Sequence, residues 1–385
     1  MKVPLAKPYF TRAEATAVSK VLESGWVAQG PKVAGFEKAV CQFTGASFAR
    51  ATSSCTTALH LALLALGIGP GDEVIVPSFT FVASANAIEH TGAKSVFVDI
   101  DPRTFCIDPR KVEEYLEKDG ARVRCIMPVH LFGLCADIYP IIGQRMRYDV
   151  PIIEDAACAL GSTCDCIHAG TFGVIGCFSF HPRKLITTGE GGMLVTNDYN
   201  IADSVSSLRD HGVSVSSSER HEKGDSSPPS FNALGYNYRM SDIQAAIGVE
   251  QMKKLPWIID MRVEIARRYN AGLQDLECLQ TPYVPEGYTH TYQSYVITLN
   301  DSKARDIMMA KLTEKGIGTR QGTSAVHQLG YYRRKYRLES SDFPASSQAD
   351  CSTLALPIYP QMTDAEQDYV IENVRQIVRS LGGMG

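Results

Sequence analysis

Apolar positions along the chain fall into two alternating rhythms. Near the start, Thr11-Arg12-Ala13-Glu14 has the form of a capping box, and Ala15, Val18, Val21 and Leu22 follow at helical spacing until Gly25 ends the run. From residue 50 to 210, short β-rich stretches (73–76, 95–99, 123–129, 151–154, 176–180 and 192–196) alternate with helical ones (56–66, 82–90, 109–118 and 136–145). Several of the strands are apolar throughout rather than at every second position. That is the signature of a parallel sheet covered on both faces. The pattern therefore predicts an α/β domain with a mostly parallel sheet.

Residues 213–230 hold seven serines and two prolines and read as an exposed, mobile loop. Beyond it a helix is expected at 243–255, ended by Pro256, then a second at 258–273, a strand near 292–299, and a last helix. The last helix opens on a second capping box, Thr363-Asp364-Ala365-Glu366, and places Val370, Val374, Ile377, Val378 and Leu381 on one face. This divides the chain into a large α/β domain, 1–249, and a small α+β domain, 250–385, with residues 1–24 expected to pack on the small one.

Composition narrows the function classes. The 385 residues carry 38 basic and 42 acidic side chains, a net charge of −4, which leaves no electrostatic footprint for nucleic acid or an anionic membrane. No stretch reaches the ~18 unbroken apolar residues of a bilayer span, and the N-terminus lacks the apolar core and cleavage site of an export signal. A cytoplasmic location is expected. Eleven cysteines, an odd number scattered over a long chain, read as reduced thiols. Cys164, Cys166 and Cys177 lack the paired spacing of a metal site, so none is expected.

Four segments carry candidate chemistry, and all would meet at the carboxyl ends of a parallel sheet, where such sheets bind ligands. Ser53-Ser54-Cys55-Thr56-Thr57 opens an apolar helix, and the free N–H groups of a helix start suit a phosphate; Ser54 as a plain helix cap accounts for the same residues. The strand 151–154 delivers Asp155, either a solvated strand-end acid or a carboxylate able to keep a heteroaromatic nitrogen protonated. Lys184 follows the apolar run Cys177-Phe178-Ser179-Phe180 beside a glycine-rich turn, where a lysine withdrawn from water becomes a nucleophile. Gly235-Tyr236-Asn237-Tyr238-Arg239 is the fourth. No Walker or G-x-G-x-x-G loop accompanies these segments, which speaks against triphosphate and dinucleotide chemistry.

In this order the segments resemble the DegT/DnrJ/EryC1/StrS family of sugar aminotransferases, pyridoxal-phosphate enzymes of the aspartate-aminotransferase fold type. The resemblance runs from Gly25-Trp26-Val27-Ala28-Gln29-Gly30-Pro31 and the run 71–81 through Glu154-Asp155-Ala156-Ala157, Ser179 to Lys184, Gly189-Glu190-Gly191-Gly192 and Gly235 to Asp242. It implies pyridoxal 5′-phosphate bonded covalently to Lys184, which also moves the proton. It further implies Asp155 on the pyridine nitrogen, Phe81 stacked on the ring, and Thr56, Thr57 and Ser179 on the phosphate. Asn237 would reach the phosphate of a neighbouring subunit, making a homodimer. Cys158 stands where the family usually has Gln or His to bond the phenolic oxygen, and a thiol is a weaker donor. Cys55 stands where glycine is common. The implied reaction moves an amino group from an amino acid, L-glutamate in most of the family, to a nucleotide-linked 3-keto or 4-keto hexose in amino-sugar and polysaccharide biosynthesis. Two other readings stay open: a dehydratase of the same family, although that branch carries histidine where Lys184 stands, and a cofactor-binding regulator without turnover. The resemblance also implies that Gly25–Pro31 with Trp26 borders the entrance, and that residues 290–295 and 322–327 lie where substrates are contacted. His130 reads as a structural residue or a support beside the site, His327 as a surface or packing histidine, and Arg239 as either an ion-pair partner within the dimer or a ligand contact.

Overall fold

The computed structural model describes residues 1–215, 228–300 and 302–382. Most of the loop expected at 213–230 thus lies outside the described residues, as does the side chain of Leu381. The described ends of that segment meet, with Ser214 N donating to Ser230 O (2.9 Å).

Seven strands form the main sheet: β1 (Phe48–Thr52), β2 (Glu73–Pro77), β3 (Lys94–Val98), β4 (Val123–Ile126), β5 (Ile153–Asp155), β6 (Ile175–Ser179) and β7 (Gly192–Thr196). Their spatial order is β1-β7-β6-β5-β4-β2-β3, with the β4–β5 join made by single parallel bridges at Ile126–Ile152 and Val129–Asp155. Only β7 runs against the rest, pairing antiparallel with both β1 and β6. The mostly parallel sheet expected from the continuous apolar runs is therefore present.

Strand periodicity explains why those runs are continuous. Val74 and Val76 point to one face, where they join the helices Cys55–Ala65, Ala83–His90 and Tyr199–Leu208; Ile75 points to the other, with the helices Pro31–Thr44, Pro109–Asp119 and Ile138–Tyr148. Both faces are dry, so neither set of positions is polar.

The helix Pro31–Thr44 was not expected. It has proline at its first position and no cap of its own from Gly30. Its first turn is capped from far along the chain by Asp242, whose carboxylate accepts from Gly30 N (2.9 Å), Lys32 N (3.0 Å) and Val33 N (2.9 Å). Asp242 itself opens the helix Asp242–Leu273, capped by Ser241 and Gln244 in a reciprocal box. That helix corrects a second expectation: Pro256 does not end it, and one 32-residue helix replaces the two predicted. Proline removes one backbone hydrogen bond, but the apolar residues Leu255, Ile258, Ile265, Tyr269 and Leu273 stay buried through it, and their packing outweighs the lost bond. The boundary expected between 249 and 250 falls inside this helix.

Its second half packs into another core, around a four-stranded antiparallel sheet ordered Leu279–Gln280, Tyr295–Leu299, Thr353–Leu356, Arg320–Gln321. The last helix, Asp364–Gly382, buries Val370, Val374, Ile377 and Val378 there. Val3 of the N-terminal segment bridges Ile317 and is fully buried in the same core, whereas the helix Arg12–Ser24 lies against Asp242–Leu273 through Glu14, Gln251 and Lys254.

A short seam joins the parts. Phe79–Thr80, just past β2, pairs antiparallel with Ser324–Ala325, and Val326 N donates to Ser78 O (2.7 Å). No helix among the described residues is long and apolar enough to cross a membrane.

Candidate active site

At the carboxyl ends of β1, β2, β4, β5 and β6, and the amino end of the reversed β7, the structure opens a cavity of about 510 Å³. That volume lies inside the range of about 300–1,000 Å³ usual for small-molecule sites. Thr56, Phe81, Asp155, Cys158, Ser179 and Lys184 all line it.

Asp155 ends β5 and is buried, 5 % exposed. Its Oδ2 accepts from Ser84 Oγ (2.7 Å) and its Oδ1 from Ala157 N (3.1 Å), so the carboxylate is held at both oxygens while still lining the cavity. The preceding Glu154 points to the opposite face, as strand alternation demands. It is fully buried and accepts from His130 Nε2 (2.7 Å), Gly170 N (2.6 Å) and Gly173 N (2.5 Å). His130 Nδ1 accepts from Ala136 N (3.0 Å), which places the ring proton on Nε2. His130 therefore belongs to a buried structural pair and does not line the cavity.

Lys184 is partly buried in the turn after β6, its backbone N–H held by His181 O (2.8 Å). Its Nζ donates to Cys158 Sγ at 3.0 Å. Amine and thiol therefore share one wall, while Asp155 stands on the cavity as a separate anion. Phe81 is 61 % exposed and lines the cavity. A large aromatic left bare inside a concave site offers an open ring face.

At the helix Cys55–Ala65, Ser54 Oγ accepts from Thr57 N (3.2 Å) and Thr57 Oγ1 accepts from Ser54 N (3.1 Å) and donates to Ser54 O (2.7 Å). Ser54 is the helix cap, as its simpler reading held. Thr57 departs from expectation: the cap uses its N–H and its hydroxyl, and it is not among the cavity-lining residues. The N–H groups of Cys55 and Thr56, at the first two helical positions, have no intrahelical acceptor and carry the positive end of the helix dipole. β7 lies directly against this helix start, since a Cβ on Gly192 would meet Ser54 O at 2.3 Å and Cys55 N at 2.5 Å. Burial pushes the Cys55 thiol well up, with Asp155 and Cys177 adding to the effect, so it packs as a neutral group.

Other expected residues fall elsewhere. Asn237 is exposed on this chain and bridges Asp210 through its backbone, away from the cavity lining. Trp26 does not line the cavity; its Nε1 donates to Gln29 O (3.0 Å). Arg239 pairs with Asp210. His327 is fully buried between Ser78 Oγ (2.5 Å) and Ser347 Oγ (3.2 Å), a packing residue rather than a surface one.

Ser84 and Arg320 were not singled out by sequence. Ser84 sits in the first turn of the helix Ala83–His90 among small residues, and nothing local says that its hydroxyl meets an aspartate 71 positions on. Arg320 lines the cavity from the small sheet. All eleven cysteines are free thiols, and among the described residues no cluster of three or more His, Cys, Asp or Glu is placed to hold a metal ion.

Residues 8–375 match the DegT/DnrJ/EryC1/StrS aminotransferase family. The chain belongs to this family. It is 39 % identical over 381 residues to the spore coat polysaccharide biosynthesis protein SpsC of Bacillus subtilis (strain 168), covering 98 % of this chain and 97 % of that protein. The aminotransferase TlmJ from Streptoalloteichus hindustanus superposes with a TM-score of 0.90 at 32 % identity, over 99 % of this chain and 100 % of that one. NtdA from Bacillus subtilis, solved with bound cofactor PMP, gives 0.84 at 31 % identity, over 96 % and 82 % of the two chains. The DegT/DnrJ/EryC1/StrS chain described here thus shares the fold of pyridoxal-phosphate aminotransferases over nearly its whole length.

Proposed function

We propose that this aminotransferase uses pyridoxal 5′-phosphate to move an amino group from L-glutamate to the carbonyl of a nucleotide-linked 3-keto or 4-keto hexose, in the making of amino sugars for a polysaccharide. The single observation that carries the reading is that Lys184 Nζ and the Asp155 carboxylate face one cavity, beside the Phe81 ring and the start of the helix Cys55–Ala65. The donor set suits the cofactor: an amine for its aldehyde, a carboxylate for its ring nitrogen, a bare aromatic face for its ring, and helix N–H groups with a serine hydroxyl for its phosphate.

When bound, the cofactor supplies an electron sink for the charge left as a proton departs the amino carbon. The chain's own residues do the rest. Asp155, fixed by Ser84 and Ala157, keeps the ring nitrogen protonated. Cys55 N, Thr56 N and the Ser179 hydroxyl hold the phosphate. Lys184 would anchor the cofactor through Nζ, and the same amine would be the nearest base for moving the proton of the amino carbon. Cys158 stands beside the amine at 3.0 Å, where the family more often has a stronger hydrogen-bonding group. Asn237, exposed on this chain, serves the neighbouring subunit's phosphate in a cytoplasmic homodimer. Residues 1–249 form the cofactor unit and 250–385 the small unit, with the N-terminal segment anchored on the latter.

The lysine also separates this reading from the family's dehydratases, in which histidine takes its place. The test is borohydride treatment of protein purified with pyridoxal phosphate, followed by peptide mapping. The cofactor is expected fixed to Lys184, and glutamate added before the borohydride should remove both the label and the visible absorbance. A label on another residue, or none, overturns the proposal. Incubation of glutamate with a panel of nucleotide-linked keto sugars, read by mass, then identifies the acceptor.

A further inference from the structure

The cavity carries more positive charge than the cofactor chemistry employs. Besides Lys184 it is lined by Arg183 and Arg320, against Asp155 and Glu190. Asp155 is engaged by Ser84 and Ala157, and Glu190 lies 4.0 Å from His181 Nε2. Among the described residues the Arg183 guanidinium has no ion pair or hydrogen bond, and that of Arg320 has one hydrogen bond, to Gly322 O (3.3 Å).

The two arginines come from different elements. Arg183 immediately precedes Lys184 in the turn after β6, and Gln293 Nε2 pins that turn by donating to Arg183 O (2.7 Å). Arg320 sits on the short strand Arg320–Gln321 of the small sheet. Both also line a smaller recess next to the cavity, shared with Leu5, Ala6 and Gln293. Burial lowers the pKa of Arg320, and the Arg183 charge lowers it further. Two guanidinium groups that line one recess with no ion pair of their own among the described residues repel each other, and an anion placed between them relieves that repulsion.

We propose that Arg183 and Arg320 form the subsite for the carboxylate of the amino-acid donor. The proposal rests on the reading of Lys184 given above and extends it. The donor's nitrogen must reach the position that Lys184 Nζ takes, and its carboxylate carbon is only two bonds from that nitrogen. Arg183 is the chain neighbour of Lys184. Arg320 lines the same cavity as Cys158, whose sulfur accepts from the lysine amine. A diphosphate on the anomeric carbon of a keto hexose is separated from the reacting carbon by at least one further ring carbon, the anomeric carbon and its oxygen, so it lies farther from the lysine than the donor's carboxylate does. The planar guanidinium fork also matches a carboxylate in two-point contact.

Glutarate has the carboxylates of the donor but no amine, so it binds without reacting. Titrated calorimetrically into holoenzyme, it should bind Arg320→Gln and Arg183→Gln about tenfold more weakly than the parent, as expected for loss of a charged hydrogen bond. The KM for glutamate should rise to a similar extent while that for the keto sugar holds, and Arg320→Lys should recover part of the loss. On the unaltered holoenzyme, glutarate should protect Arg183 and Arg320 from phenylglyoxal, a readout independent of any variant's folding. Unchanged glutarate affinity in variants that keep the cofactor's visible absorbance, or no protection, overturns the proposal and leaves the cofactor reading intact. A rise confined to the keto sugar's KM overturns it in favour of a diphosphate subsite. Failure to hold cofactor at Lys184, visible before any titration, overturns both.

Discussion

Asp242 gives the sharpest test of the physical argument for the fold. Its carboxylate is 1 % exposed and accepts three backbone N–H groups at the start of the helix Pro31–Thr44, more than two hundred residues earlier in the chain. Asp242→Asn keeps one oxygen, which can still serve Gly30 and Val33, but turns an NH₂ toward Lys32 N. That orphans one partly buried donor, at about 1–3 kcal/mol. It also removes a negative charge from the positive end of a helix dipole, at about 0.3–1 kcal/mol. A loss of about 1–4 kcal/mol follows. At roughly 2 cal/mol/K per residue the chain's unfolding entropy is about 0.8 kcal/mol/K, so the melting temperature should fall by about 2–5 °C. Asp242→Ala, which orphans all three donors, should fall further. The assay is thermal unfolding followed by circular dichroism on cofactor-loaded protein. Because Asp242 does not line the cavity, the cofactor's absorbance should be unchanged at 25 °C. A melting temperature within 1 °C of the parent for the alanine variant would refute the remote cap as a stabilising contact.

Three further outcomes are expected. Lys184→Ala should abolish amino transfer and borohydride labelling, yet melt within about 2 °C of the parent, because the side chain is only partly buried and its one hydrogen bond is to Cys158; measurable turnover would remove the lysine from its role. Phe81→Ala should leave stability almost untouched, since the ring is 61 % exposed, but weaken cofactor retention about tenfold by equilibrium dialysis, as loss of an aromatic stacking contact predicts. For Glu14, burial raises the pKa, but Lys254, Thr11 N and Gln251 together outweigh it and hold the carboxyl at about 2 against an ordinary 4.5. A depressed folded-state pKa stabilises above the unfolded value and ceases to do so as pH falls through the folded one. Glu14→Gln should therefore melt lower than the parent at pH 7, and the gap should close between pH 4.5 and 2; a gap unchanged at pH 2 contradicts the ion pair with Lys254.

The α/β layering was legible because six of the seven strands of the main sheet are short, mainly apolar and bracketed by turn residues, so local pattern and tertiary placement agree; β1 (Phe48–Thr52), interrupted by Arg50, was not expected. Asp155 and Lys184 were legible as well, because a charged side chain at the end of a buried strand stands out. The helix Pro31–Thr44 escaped notice although Val33, Phe36 and Val40 are suitably spaced: its N-terminal signal is an aspartate two hundred residues away rather than a neighbouring serine. Pro256 misled for the reverse reason, since local chemistry says stop while the packing of Leu255 and Ile258 carries the helix on. Thr57 and Ser84 show the limit at the site itself. Sequence identifies a hydroxyl, but only three dimensions tell whether it is used by its own helix cap, as in Thr57, or offered to a carboxylate, as in Ser84.

The seam between Phe79–Thr80 and Ser324–Ala325 ties the strand leading to Phe81 directly to the small sheet's side of the cavity. It acts like the spine of a book. The page nearest the spine, Phe81, stands one residue from that backbone pairing and so keeps its place relative to the small sheet's edge of the cavity.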